Sequence, residues 1–354
     1  MNLADFSWYT GNLSWLPGRT IFLTKHGSHA YGTNLPTSDL DLKGIAIAPK
    51  EYYLGTLNTF EQAEVRAPLD AVIYDIKKFF RLAWDCNPNI IEVLYTDESD
   101  WIFPTPTVRT ATTDLWWRIH GNRDLFLSQK ARHTFSGYAV AQLKRIQTHR
   151  AWLLNPPKKK PERSDFGLSN AEGTLGRDQL GVINARIQKL ADNMAGQGWT
   201  KDEVEAVDPV TVEHAVKELN LDANLVDIIV RERKFASAAR YFDAFQKWKT
   251  ERNPKRAELE AKFGYDTKHA MHLVRLLRMA KEILGEGKVV VKRPDAEDLL
   301  RIRAGDWAYD DLIQYAKSAE LDLEVIAHHS PLPKAPDRNA LDQLLVRLVR
   351  QSLG

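Results

Sequence analysis

Residues 27–41 constrain the fold more than any other part of the chain, because they join two apolar runs through a glycine-rich and acidic connection. The stretch reads GSHAYGTNLPTSDLD. It follows Ile21-Phe22-Leu23 and leads through Lys43-Gly44 into the run Ile45-Ala46-Ile47-Ala48. Short apolar runs bounded by turn residues are typical of strands. The pattern therefore predicts two strands with a polar, functional connection between them.

Asp39 and Asp41 stand two residues apart at the start of the second run. Side chains alternate along a strand, so both carboxylates are predicted to lie on one face while Leu40 and Leu42 point into the core. Two such carboxylates repel unless a cation lies between them, and Mg²⁺ is usually held by one or two carboxylates plus substrate phosphates. Gly27-Ser28 adds backbone N–H groups and a hydroxyl that suit a phosphate. A polar hairpin loop is the simpler alternative for Asp-x-Asp alone, but the combination with Gly-Ser favours phosphate chemistry.

The spacing of these motifs resembles the signature of the DNA polymerase β-like nucleotidyltransferase superfamily, over about the first third of the chain. The strings Gly27-Ser28-His29-Ala30-Tyr31-Gly32 and Ser38-Asp39-Leu40-Asp41, with Gly44, are most similar to the RNA-repair-associated polymerase-β-like branch of bacteria and phages. The resemblance to this branch extends further through short matches: Asn87-Pro88 with Glu92, Tyr138-Ala139 with Gln142, and Gly264-Tyr265-Asp266 with Lys268, His272 and Arg275.

A third carboxylate is expected, because two-metal phosphoryl transfer works best with three, and polymerase β-like enzymes carry it on a neighbouring strand. Asp70 is the predicted residue, since it begins the strand-like run DAVIY. Asp75 ends the same run, but its odd spacing places it on the opposite face. Glu92 is the alternative, although it falls in a predicted helix where capping or ion pairing would explain it equally well. A solvated turn is the simpler reading of Asp70.

Composition limits the class of protein. The 354 residues suggest two domains or one domain with a large extension, and the net charge of +2 offers no general attraction for nucleic acid. A single cysteine, Cys86, excludes an internal disulfide framework and a cysteine-based zinc site. The first residues lack the features of a signal peptide, and no apolar run approaches the length of a membrane span. A cytoplasmic protein without a membrane segment is expected.

The periodicity predicts an α+β protein, with a small mixed-sheet nucleotidyltransferase domain in residues 1–118 followed by a larger all-helical region, 119–354, that closes the active site and could bind the acceptor. Asn89 is a candidate cap for the second predicted helix. The predicted strands are 20–24, 42–48, 60–66 and 71–76. The predicted helices are 76–86, 90–95, 114–120, 122–152, 175–196, 209–218, 222–250, 254–262, 267–285, 295–302, 306–321 and 337–352. Residues 155–170 and 326–337 are predicted loops.

Residues 264–278, GYDTKHAMHLVRLLR, predict a helix capped by Asp266. Lys268, His272 and Arg275 fall on one face, where they suit a triphosphate or a nucleic-acid backbone. A solvated basic stripe is an equal alternative. The opposite face is apolar and predicted to be buried: Ala270, Leu273, Val274 and Leu277.

A second basic zone runs from Lys144 to Arg163 and includes Trp152, with Tyr138 before it. Basic and aromatic side chains together can hold single-stranded nucleic acid, although an exposed charged loop explains the pattern equally simply. Four histidines show no metal-ligand spacing with other histidines or cysteines and are predicted to be structural or at the surface: His133, His149, His328 and His329.

These patterns predict a metal-dependent nucleotidyltransferase that uses Mg²⁺ or Mn²⁺ and an NTP. The predicted catalytic and metal-binding residues are Asp39, Asp41 and Asp70, and the predicted nucleotide-binding residues are Gly27, Ser28, Lys268, His272 and Arg275. The acceptor implied by the resemblance is an RNA end, including tRNA. Transfer to a protein or small-molecule hydroxyl, and a non-catalytic nucleic-acid-binding or antitoxin-like module, are alternatives. The oligomeric state and base preference are left open.

Overall fold

The computed structural model describes residues 3–66, 69–105, 110–169 and 223–353. They form two compact units, one made of Met1–Arg150 with Lys255–Gly354 and the other of Ala151–Pro254. The predicted helices 175–196 and 209–218 lie outside the described residues. The division at residue 118 remains a prediction.

The first unit is built on a mixed five-stranded sheet with the order β3-β4-β2-β1-β5. β2 and β4 are parallel, and the other three pairs are antiparallel. The strands are β1 Thr20–His26, β2 Asp41–Ala46, β3 Gln62–Val65, β4 Asp70–Asp75 and β5 Trp101–Phe103. The α+β class with a mixed sheet followed by helices is confirmed. The short strand β5 was not predicted.

The described helices mostly follow the predicted periodicity. In chain order they are α1 Leu16–Arg19, α2 Gly27–Tyr31, α3 Glu51–Leu54, α4 Ile76–Trp84, α5 Pro88–Leu94, α6 Ala111–Gly121, α7 Ala131–Leu154, α8 Ala223–Glu251, α9 Pro254–Phe263, α10 Thr267–Glu286, α11 Ala296–Ala304, α12 Tyr309–His328 and α13 Arg338–Leu353. Short 3₁₀ turns lie at Leu3–Asp5, Glu98–Asp100, Arg123–Phe126 and Arg163–Phe166.

Several helix boundaries differ from prediction: α12, for example, continues to His328 instead of ending at 321 and so enters the predicted loop 326–337. Two of the differences have clear local reasons. Asn87, not Asn89, caps α5, because its side-chain oxygen accepts the backbone N–H of Asn89 and Pro88 occupies the first helical position. The predicted helix 122–152 begins instead at Ala131, after the 3₁₀ turn Arg123–Phe126.

The sheet has two apolar faces, as strand alternation requires. Phe22 and Ile45 belong to the large core that the helices share. Leu23, Leu42 and Ile73 pack in a second core with the N-terminal segment around Trp8. Both faces of the sheet are therefore covered by apolar packing. This packing holds the strands in place, and with them the polar residues at the strand ends.

The second unit has its own aromatic core, in which Trp152 packs against Tyr241, Phe245 and Trp248. Among the described residues, none of the helices combines the length and the apolar character needed to cross a membrane.

Candidate active site

Asp41 and Asp70 are the centre of the site, because each is the first residue of its strand and the parallel register pairs them directly. Side chains of register partners in neighbouring strands lie on the same face. Asp41 is half-buried, whereas Asp70 and Asp39 are exposed. Burial raises the pKa of the Asp41 carboxyl, and the Asp70 carboxylate and then Asp39 raise it further. Negative charge is therefore concentrated at this edge of the sheet.

Lys43 lies on the same face, two residues after Asp41. Burial lowers its pKa, while Asp70 and Asp41 act in the opposite direction, so its ammonium is close to both carboxylates. Its Nζ also lies 5.8 Å from the centre of the Tyr74 ring. Lys43 thus offsets part of the negative charge and was not among the predicted site residues, since a lysine on a strand has no specific sequence signal.

Gly27 brings the turn after β1 against the carboxylate of Asp41. Its φ of 63° lies in the left-handed region, and a Cβ at this position would collide with the Oδ2 atom of Asp41. β1 and β2 pair here, with His26 opposite Asp41. Ser28 follows in α2 and is half-buried. The predicted Gly-Ser and Asp-x-Asp elements are therefore adjacent in space as well as in sequence.

Lys268 faces this acidic edge from the first turn of α10. Asp41 acts to raise the pKa of Lys268, and Lys268 acts to lower that of Asp41, so the two charges are close. Burial lowers the pKa of Lys268 overall, followed by the nearby Arg256 and Arg303. The structure thus brings Lys268 to the aspartates and adds two arginines, from distant parts of the chain, that no local motif predicts.

His272 and Arg275 share the face of Lys268, and this face does not point to bulk water. Burial lowers the pKa of His272 well below its usual value, with Arg275 and Lys268 adding to the effect, so the ring is neutral. Arg275 is only 4% exposed. The predicted apolar face is buried as well, since Ala270, Leu273, Val274 and Leu277 are 0–1% exposed. α10 is therefore buried on its apolar face and at Arg275, while Lys268 and His272 keep part of their surface exposed.

Glu92 is the hub of a buried polar network under the Gly-Ser turn. It accepts hydrogen bonds from Arg275 Nη1 and, at 2.5 Å, from the Tyr31 hydroxyl, and His26 Nε2 lies 3.5 Å from it. The Arg275 guanidinium also stacks 3.7 Å from the centre of the Tyr31 ring. Burial would lower the pKa of Arg275, but Glu92 and Tyr31 raise it above its usual value. The pairing role considered for Glu92 is what the structure shows.

The aspartate edge has a donor set that fits a divalent ion. Oxygen ligands from carboxylates are those that Mg²⁺ and Mn²⁺ take in proteins. Among the residues that the structure describes, the carboxylates of Asp39, Asp41 and Asp70 do not all lie within 4.8 Å of one another. The strand register pairs Asp41 with Asp70, and Asp39 lies exposed in the connection just before β2.

The basic zone from Lys144 to Arg163 offers fewer side chains for binding nucleic acid than its sequence suggests. Trp152 is 5% exposed in the core of the second unit and is therefore not open for base stacking. Arg163 pairs with Glu232, and Arg150 donates a 2.9 Å hydrogen bond to the carbonyl of Gly264. The exposed cations of the zone include Lys158 and Lys160.

Comparison with known proteins agrees with this geometry. Residues 7–155 match the family RlaP, described as the RNA repair pathway DNA polymerase beta family. This region is therefore similar to the polymerase beta family that the description names. The matched residues include Gly27, Ser28 and the three aspartates, but not α10.

The chain is also similar to a phage protein. The chain is 26% identical over 183 residues to an uncharacterized 38.9 kDa protein in the nrdC-mobD intergenic region of Enterobacteria phage T4. The match covers 49% of this chain and 46% of the phage protein, so it spans about half of each. No solved structure matches the chain.

Proposed function

We propose that this protein is a metal-dependent nucleotidyltransferase that moves a nucleoside monophosphate from an NTP to an acceptor hydroxyl and releases pyrophosphate. The observation that carries the proposal is the in-register pair Asp41–Asp70 directly beside the backbone of Gly27. It unites acidic metal ligands with a phosphate-binding turn, as the polymerase β-like family would require.

Asp39 and Asp41 would hold Mg²⁺ or Mn²⁺, with Asp70 as the third carboxylate. When bound, the divalent ions supply neutralisation of phosphate charge and a lowered pKa for the attacking hydroxyl. The chain contributes the fixed geometry: the parallel register holds Asp41 and Asp70 on one face, and Lys43 keeps the pair together. Asp70, which is exposed, is proposed to help receive the proton of the acceptor hydroxyl.

The nucleotide phosphates would lie between the Gly27-Ser28 turn and α10. Ser28 and Lys268 are proposed to donate hydrogen bonds to phosphate oxygens, and the neutral His272 would donate without adding charge. Arg275 was predicted to bind nucleotide directly. Its burial and its pairing with Glu92 favour a positioning role instead, through the Tyr31 end of α2.

An RNA end, including a tRNA end, is the proposed acceptor. The description of the matching family supports this choice, and the exposed Lys158 and Lys160 are consistent with contacts to phosphates. Residues 119–354 are proposed to close the site and to contact the acceptor.

Incubation of the purified protein with each labelled NTP or dNTP, total RNA and Mg²⁺ tests the proposal. We expect label to enter an RNA species, with release of pyrophosphate, for wild type and for Asp342→Asn, which removes an exposed carboxylate of α13. Asp41→Asn should reduce labelling by at least about a thousandfold, or ~4 kcal/mol, because it removes a metal ligand.

Two results would contradict it. Label that enters protein or a small molecule rather than RNA would show that the proposed RNA acceptor is wrong. Equal labelling by wild type and Asp41→Asn would remove the aspartate edge from the chemistry.

A further inference from the structure

Three side chains from separate helical elements converge at the start of α10. His149 lies near the end of α7, Glu260 in α9, and Asp266 caps α10. One ligand atom from each lies within 4.8 Å of the other two, and His149 Nδ1 is 3.4 Å from Glu260 Oε1. All three residues belong to the first unit. Because they are more than a hundred positions apart at the extremes, the sequence shows no metal-ligand spacing.

The two carboxylates of this cluster are buried, Glu260 to 2% and Asp266 to 3% exposure. Burying an ionised carboxylate costs several kcal/mol unless charge and hydrogen bonds compensate. Asp266 uses Oδ1 to accept the backbone N–H of His269 at 3.0 Å. Its Oδ2 is buried without a hydrogen-bond partner. The cap therefore occupies Oδ1 and leaves Oδ2 as the oxygen that can take a ligand.

The groups around Oδ2 of Asp266 leave its charge incompletely met. Arg256 Nη1 lies 3.8 Å away and His269 Nε2 lies 3.5 Å away. Neither nitrogen makes a hydrogen bond to this oxygen. The Nδ1 atom of His269 is also buried without a hydrogen-bond partner. A cation at this position would stabilise the arrangement.

The elements that carry the cluster are held in place by their own contacts. Arg150, next to His149, donates to the carbonyl of Gly264 and stacks 4.2 Å from the centre of the Tyr309 ring. The Tyr265 hydroxyl, next to Asp266, donates a 2.7 Å hydrogen bond to the carbonyl of Trp307. Ligands held on packed helices in this way need little reorganisation to bind an ion.

We propose that His149, Glu260 and Asp266 bind a divalent transition-metal ion of the Zn²⁺ class, at a site distinct from the aspartate edge. One imidazole nitrogen with two carboxylate oxygens suits Zn²⁺, which keeps a fourth position for water. Ligand atoms of a tetrahedral zinc site are about 3.4 Å apart, which is the separation of the His149 and Glu260 atoms. The ion ties α7, α9 and the start of α10 together, and so fixes the backbone that carries Lys268.

Zinc binding is best measured in the full chain carrying Asp41→Asn, because this change weakens any binding at the aspartate edge. After treatment with EDTA and its removal, the protein is titrated with Zn²⁺ alone by calorimetry, and its melting temperature is recorded with and without Zn²⁺. We expect about one Zn²⁺ to bind and the melting temperature to rise. Neither readout depends on nucleotidyl transfer, so failure of the proposed function would leave this result intact.

Adding Asp266→Asn should weaken Zn²⁺ binding at least roughly tenfold and abolish the rise in melting temperature, as should adding His149→Ala. Asparagine keeps the helix cap, so Asp266→Asn remains informative if the His149 variant fails to fold. His133→Ala removes an exposed histidine from the same helix and should change neither readout.

Absence of Zn²⁺ binding in the Asp41→Asn protein would overturn the proposal. Equal Zn²⁺ affinity after adding Asp266→Asn would overturn it too, and would leave the cluster as a buried network of ion pairs with Arg256.

Discussion

The acidic edge and the basic face of α10 lie close together but are built in opposite ways. Asp39 and Asp70 are exposed, and burial together with its acidic neighbours leaves Asp41 with a raised pKa. Arg275, by contrast, is buried and its charge is met by Glu92. Charge that is left uncompensated is available to a ligand, whereas charge that is compensated inside the protein contributes to its architecture. The difference separates residues expected to act in chemistry from residues expected to position them.

Breaking the buried ion pair between Glu92 and Arg275 should have the largest effect on stability. Glu92→Gln leaves the guanidinium of Arg275 buried without its carboxylate, so the free energy of unfolding should fall by about 3–5 kcal/mol. Chemical denaturation of wild type and variant measures this loss. Transfer per folded molecule should change less than in any aspartate variant.

Two further variants sharpen this test. Glu92→Gln combined with Arg275→Met should recover part of the stability, because no unpaired charge remains. Glu61→Gln breaks the exposed pair with Lys78 and should cost less than about 0.5 kcal/mol. A stable Glu92→Gln protein without activity would instead make Glu92 the third catalytic carboxylate.

Asp70→Asn tests the acidic side. Loss of the third carboxylate should lower kcat for nucleotidyl transfer at least about a hundredfold, or ~2.7 kcal/mol. The melting temperature should hold steady or rise, because one of two repelling charges is removed. Steady-state kinetics and thermal melts of the same preparation check both parts. Near-normal kcat would mean that Asp39 and Asp41 suffice.

His26 predicts how the network responds to acid. Burial lowers the pKa of His26 to about 4, although Glu92 opposes the shift. In the unfolded chain this histidine is protonated below about pH 6.5, whereas in the folded protein it stays neutral until about pH 4. The free energy of unfolding should therefore fall as the pH drops from about 6.5 to 4. The contribution is on the order of 2 kcal/mol.

Urea denaturation at pH 7 and pH 4.5 measures this effect. His26→Gln should reduce the difference between the two pH values, and the matched surface variant His133→Gln should keep it. Identical pH dependence in all three proteins would show that His26 is not held neutral by the fold.

Gly27→Ala tests the contact between the turn and Asp41. The left-handed φ and the collision with Asp41 Oδ2 should together cost about 1–2 kcal/mol of stability and lower transfer roughly tenfold. Gly137→Ala in α7, where a Cβ meets no neighbouring atom, should leave transfer unchanged. Wild-type kinetics for Gly27→Ala would show that the carboxylate can move without consequence.

The smallest expected effect belongs to Lys268. Lys268→Ala should raise KM for the NTP or lower kcat by about tenfold, ~1.4 kcal/mol, because a phosphate contact near the helix N-terminus is lost. The folding midpoint should barely move. The exposed Lys317 of α12 is the matched control, since Lys317→Ala should have no kinetic effect. If both variants behave alike, α10 only supports the sheet.

Most parts of the acidic edge could be proposed from local patterns because they are contiguous in sequence. Gly27, Ser28, Asp39 and Asp41 lie within one connection, and alternation fixed the direction of Leu42. The helices were also predictable, since an apolar stripe repeats over many residues, as in Ala270 to Leu277. The three-residue strand β5 was missed because a run this short has no detectable period.

Residues that depend on tertiary packing could not be predicted. A polar face at i, i+4 and i+7 usually faces solvent, and the burial of Arg275 on this face depends on Glu92, which is 183 positions away. The parallel register that pairs Asp41 with Asp70 likewise has no local sequence signal. Arg256, Arg303 and the His149 cluster reach their partners only through the packing of helices.

The discontinuity of the first unit sets an order of events during synthesis. Residues up to Arg150 leave the ribosome first, but α10 follows only after the whole of Ala151–Pro254 has been made. At about 5–20 residues per second, this intervening stretch of roughly a hundred residues takes about 5–20 seconds. During that interval the nascent chain contains Glu92 but not yet Arg275, so the positive charge that pairs with Glu92 is synthesised last.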